Sequence, residues 1–157
     1  SNIYIMSLEV TIESSCLTKY QKQIVKVVYT ELKNNILEVI EEIKQMDPNN
    51  ISIEEISKKI LIIISQCIKI IEKTKVNKKP LEGADKKQIV LELGKITIST
   101  EIEDNNITSV ILPIYDTVAE DILETIIDVS SHVNIEVKKG CAVLFTKIKH
   151  KLSQCLN

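Results

Sequence analysis

An all-α, single-domain bundle of four to six helices is the fold this sequence predicts, and three observations predict it. Apolar residues recur at three-and-four spacing over several long stretches, which is the period of a helix with one buried face. Capping residues stand in front of those stretches. The chain holds only three glycines and three prolines, which excludes a collagen-like or linker-dominated architecture. With 157 residues, 44% of them hydrophobic, it is long enough to bury one core and too apolar to stay disordered.

Residues 1–13 hold a short apolar piece and read either as a flexible terminus or as a remnant ahead of a native start at Met6. IYIM lacks the charged leader and the long apolar region of a signal peptide. Ser14 or Ser15 is expected to cap a long amphipathic helix through Leu17, Tyr20, Ile24, Val27, Val28, Leu32, Ile36, Val39, Ile40 and Ile43, stopped near Met46 by DPNN. Ser52 followed by Glu55 is a capping box for a second helix carrying Ile53, Ile56, Ile60, Ile63, Ile64, Cys67 and Ile71, which the ILIII run marks as the central one. KTKVNKKP is a basic connector.

LEGADKKQIVLELGKIT, Leu81 to Thr97, has the glycines and lysines of a phosphate-binding loop but not their arrangement. Such a loop needs GxxxxGK and then Ser or Thr after a buried strand, so that backbone amides wrap the phosphates. Here Gly83 and Gly94 stand too far apart, Lys95 is followed by Ile96, and a lysine-rich turn precedes. The segment reads instead as a helix capped by Asp85, with Ile89, Val90, Leu93 and Ile96 buried, Lys86 and Lys87 solvated, and TISTEI fraying or extended. After Asn105-Asn106, another helix is expected with Pro113 in its first turn and Ile114, Val118, Ile122, Ile126 and Val129 on its face. VNIEVKKG suggests a short extended piece near 133–139, and Val143, Leu144, Ile148 and Leu152 a basic C-terminal helix.

Chemistry is sparse. Twenty lysines, no arginine and 22 acidic residues give a net charge of −2, so there is neither a general attraction to nucleic acid nor the guanidinium fork that grips phosphate. Few aromatic residues leave little to stack bases or line a small-molecule pocket. The charge-free run ILIIISQCI is about half a membrane span, so a soluble chain is expected. Cys16, Cys67, Cys141 and Cys155 form no CxxC pair and read as buried reduced thiols. Cys141, His150 and Cys155, with His132 as a fourth ligand, are the best metal candidates, but their spacings match no common zinc pattern, so they read as a small buried thiol and surface histidines and no metal is expected. No cofactor is expected. Glu41-Glu42, Glu54-Glu55 and Glu120-Asp121 are adjacent on helices, so their carboxylates diverge rather than converge on a substrate.

LEGADKKQIVLELG followed by ILPIYDTVAEDILETIIDVSSHVNIEVKKGC resembles small helical proteins of large eukaryotic DNA viruses. Those proteins carry a Leu-x-Gly-x-x-Lys-Lys-x-x-Val-Leu-like segment, then a helix and an Ile-Asn-Ile-Lys-Lys-like piece. The matching positions are Leu81, Gly83, Lys86, Lys87, Val90 and Leu91, then Asn134, Ile135, Lys138 and Lys139, within the C-terminal half. The resemblance implies viral origin and cytoplasmic replication, and carries over no enzymatic residue. Some of these proteins look holin-like or membrane-associated, whereas this chain lacks a span. An excess of Ile, Lys and Asn also fits an AT-rich genome.

The expected role is therefore non-catalytic binding through helical surfaces, as a virion-associated protein or in the host cytoplasm. The partner is a protein, whether a second copy, a host protein or a virion component, and neither nucleic acid nor a membrane span is expected. Ile60, Ile63, Ile64 and Ile68 are the candidate interaction surface. Three rivals remain: a Bcl-2-like host modulator that accepts an amphipathic helix in a groove, a metal-dependent enzyme or zinc-stabilised module built on Cys141, His150, Cys155 and His132, and salt-dependent nucleic-acid binding through Lys75, Lys78, Lys79, Lys86 and Lys87.

Overall fold

The computed structural model describes residues 2–132, and side chains over 7–127. The extended piece at 133–139, the C-terminal helix, Val129 and the candidate ligands Cys141, His150, Cys155 and the His132 side chain lie outside what is described. Within it the chain is all-α: α1 (Asn2–Glu13), α2 (Lys19–Asn35), α3 (Leu37–Lys44), α4 (Ile53–Lys73), α5 (Gly83–Glu101) and α6 (Asn105–His132), with a small antiparallel hairpin, β1 (Lys75–Val76) and β2 (Lys79–Pro80), between α4 and α5.

The front of the chain departs from expectation. Residues 2–13 are helical, and Ile12 is fully buried, so this piece belongs to the bundle. Ser14 and Ser15 close α1 by donating their hydroxyls to the carbonyls of Val10 and Ile12. Thr18 is the cap of α2: its hydroxyl accepts the Gln21 amide while the Gln21 side chain accepts the Thr18 amide, a capping box that uses Gln as its third-position partner. The long helix ends where DPNN predicts but bends at Ile36, after Asn34-Asn35, and the bend keeps Ile36 fully buried.

Ser52 caps α4 by accepting the Glu55 amide, the first half of the expected capping box, without the reciprocal bond from the Ser52 amide to the Glu55 side chain. The connector after it is a hairpin whose turn residues Asn77 and Lys78 have φ of 52° and 65°, the left-handed pair of a two-residue turn that follows the strand twist.

The centre of the bundle is α5 as much as α4. It packs against α1, α2, α4 and α6, and the consecutive positions Ile96, Thr97 and Ile98 are all buried, while Glu92, Lys95 and Ser99 stay partly open. That removes the amphipathic period and makes TISTEI look extended, yet the helix continues to Glu101. The buried Thr97 hydroxyl bonds back along the helix to the Leu93 carbonyl, whereas the buried Thr100 hydroxyl has no hydrogen-bond partner. The N-cap is Glu82 without a side-chain bond, and Asp85 sits in the first turn, where its carboxylate favours the helix dipole and accepts the Gln21 side-chain amide at 2.8 Å.

Helix α6 starts at Asn105, so Pro113 lies inside it rather than in its first turn. Asp104 opens the helix, accepting the Asn106 amide on its carboxylate and the Thr108 amide on its carbonyl. Ile107 and Ile111, buried ahead of the proline, hold the early turns in the core and offset the backbone bond that Pro113 cannot donate to Ser109, an exposed residue.

Candidate functional site

The expected interaction face does not reach the surface. Ile60, Ile63 and Ile64 are fully buried and Ile68 is partly buried against the same core, so these side chains hold the bundle together. A run of five apolar residues puts side chains on both sides of a helix, and the outward one is Ile62, 39% exposed.

Lys86 and Lys87, read as simply solvated, are committed to other helices. Lys86 pairs with Glu72 of α4, and Lys87 with Glu120 and Glu124 of α6. Hydrogen bonds to Glu124 and then Glu120 hold the Lys87 ammonium above its ordinary pKa. Glu41 and Glu54 pair with lysines one turn on, whereas Glu42 reaches across to Lys59. None of these carboxylates converges with its neighbour.

A polar cleft of about 410 Å³ opens between the end of α1 and the middle of α5. Thr11, Ser14 and Ser15 line one wall and Glu92, Lys95 and Ser99 the other, with Cys16 at the turn. The hydroxyls of Thr11, Ser14, Ser15 and Ser99 each donate to a nearby backbone carbonyl. Lys95 is paired with Asp116 at 2.8 Å. Cys16 is exposed, unlike the buried thiol expected, and accepts the Gln88 side-chain amide at 3.2 Å. Partial desolvation against α5, then its hydrogen bond to Glu92, raise the thiol above its usual pKa, which keeps it protonated and a poor nucleophile at neutral pH. Cys67 is buried, as expected, and its thiol is pushed up further by burial alone. Among the described residues no group of three or more His, Cys, Asp or Glu stands close enough to hold a metal ion.

The outer face of α2 is the surface that periodicity missed. Tyr20 and Val27 were read as part of the buried stripe, but they are 42% and 78% exposed. They stand seven residues apart on one side of the helix, with exposed Gln23, Thr30 and Asn34 between and beyond them. Nearby α1 presents Val10, 67% exposed, and is clasped to α2 by Glu13, which meets Lys26 at 3.1 Å and Lys22 at 3.6 Å. The clue lay in the stripe itself: Leu17, Ile24, Val28 and Leu32 already make a complete buried face, leaving Tyr20 and Val27 on a second one.

No helix among the described residues is long and apolar enough to cross a membrane. No protein-family model, curated protein or solved structure matches the chain.

Proposed function

We propose that this chain is a non-catalytic interaction protein that works as a homodimer, its two copies meeting through the outer face of α2. The observation that carries the reading is the exposure of Tyr20 and Val27 at heptad spacing on a helix whose other face is fully used by the core. Such a stripe is self-complementary across a two-fold axis, where residue i of one copy meets residue j of the other and the reverse. The viral origin, and with it a place in the virion or host cytoplasm, rests on the resemblance of the LEGADKKQIVLELG and ILPIYDTVAEDILETII segments.

The groove-binding alternative gains no support from the cleft described, which is polar and takes no residue from the isoleucine-rich α4. The cleft likewise offers no activated nucleophile, since its thiol is held protonated and its lysine is paired.

Light scattering after size-exclusion chromatography, in high salt and with reductant, tests the dimer. The wild-type chain is expected to elute as a dimer, and Val27→Lys as a folded monomer, with self-association weakened at least about tenfold by a charge placed in the apolar contact. A monomeric wild-type chain, or a dimer indifferent to Val27→Lys, overturns the reading.

A further inference from the structure

The lysines of this chain are not spent evenly. Over residues 7–127 there are fifteen, and ten hold an ion pair with a carboxylate: Lys22, Lys26, Lys33, Lys44, Lys58, Lys59, Lys73, Lys86, Lys87 and Lys95. Four of the five without one are Lys69, Lys75, Lys78 and Lys79, on the last turns of α4 and the hairpin that follows, and all four are exposed. Lys78 even occupies a left-handed turn position, φ 65°, where glycine costs less. A strained backbone that carries a charge to the tip of a projection points to a use for that charge.

The hairpin register spreads the charges. Lys75 lies opposite Pro80 and Val76 opposite Lys79, so Lys75 and Lys79 leave opposite faces while Lys78 stands at the tip. That arrangement suits a broad surface bearing several carboxylates better than a single anion. Such a surface exists on this chain. Helices α4 and α5, packed together and joined by the hairpin, run antiparallel, so the start of α4 and the end of α5 share the far end, about 30 Å away along the 21 residues of α4. There Asp47, Glu55, Glu103 and Asp104 are exposed and hold no ion pair, and no lysine occurs in 45–55 or 101–106.

We infer that the basic hairpin of one copy docks on the acidic end of the next, head to tail. The contact extends the self-association proposed above but uses neither Tyr20 nor Val27. Because it is heterologous, it does not close on itself as a two-fold contact does, and it links dimers into longer assemblies. Its strength comes from complementary exposed charge, so it falls with salt.

Sedimentation velocity of the full chain at low and high salt tests it. Species larger than the dimer are expected at low salt and none at high salt. Lys75→Glu/Lys78→Glu/Lys79→Glu and Glu103→Lys/Asp104→Lys are each expected to abolish the large species while retaining helical circular dichroism. Mixing the two variants is expected to restore them, since each then offers an end complementary to the other. Large species that ignore salt or charge reversal overturn the inference, as does their absence at low salt. So does a hairpin that binds RNA or phosphatidylserine vesicles without forming them, which would make phosphate its partner. A chain that is monomeric at high salt but assembles at low salt sinks the α2 dimer and leaves this contact standing.

Discussion

At Gly94 the packing of two helices turns on a missing methyl. The Tyr115 hydroxyl of α6 lies over the α5 backbone and donates to the Leu91 carbonyl at 2.6 Å, and a Cβ at Gly94 would overlap that hydroxyl. Alanine is the better helix former by about 1 kcal/mol, so propensity alone favours Gly94→Ala. Overpacking at a buried contact costs about 1–3 kcal/mol and outweighs it, because Tyr115 is itself 2% exposed and its hydroxyl is held by the Leu91 carbonyl. Urea denaturation is expected to show Gly94→Ala less stable than wild type, with part of the loss recovered in a Tyr115→Phe background. A stabilised Gly94→Ala would mean that the tyrosine moves freely. The glycine was visible in the sequence, but its partner, 21 residues on, was not. The same holds for Glu101, an acidic residue 8% exposed that accepts the Tyr29 hydroxyl at 2.8 Å and lies 3.4 Å from the Lys33 ammonium. Residue type suggested surface for Glu101, and only the fold supplies the buried partners that make its burial tolerable.

Helices with one wet face were legible and those without were not. The stripes of α2, α3 and α4 follow the three-and-four spacing because only one side of each meets the core. Helix α5 is covered by four others, so its apolar residues follow no period and its last turns imitate a strand. The α1–α2 junction failed for a different reason. Ser14, Ser15 and Thr18 are all plausible caps, and the choice fell to Thr18 because Gln21 completes its reciprocal bond. The junction is also sensitive to acid. The hydrogen bond and charge of Lys26, with Lys22 beside it, hold the Glu13 carboxyl below its ordinary pKa. A group lowered in this way stabilises the folded state above its unfolded pKa and loses that contribution as pH falls through the folded value. The melting temperature of Glu13→Gln is therefore expected to lie slightly below wild type near neutrality. On acidification through the carboxylate range the two are expected to converge. A gap that persists in strong acid would show that the α1–α2 clasp does not depend on this charge.

Across the whole molecule, charge and core do separate work. The core is one continuous aliphatic cluster running from Ile12 to Leu123, and nearly every ion pair around it has at least one exposed partner. Exposed pairs of this kind contribute about 0–1 kcal/mol each and are screened by salt. Among the described residues the pair at Glu101 is the one with a buried carboxylate, and its burial beside the Tyr29 hydroxyl shields it from bulk screening. Folding stability should therefore change little with ionic strength even though 20 of the 35 charged side chains over residues 7–127 stand in ion pairs. The melting temperature, measured at a concentration low enough to keep the chain from assembling, is expected to stay within a few degrees from low to high salt. Assembly size over the same range is expected to change strongly, because Lys75, Lys78 and Lys79 at one end and Asp47, Glu55, Glu103 and Asp104 at the other are exposed and hold no ion pair within one copy. A melting temperature that falls steeply with salt would mean that the surface pairs hold the bundle together. In that case the aliphatic core, the feature most legible in the sequence, would not be its main support.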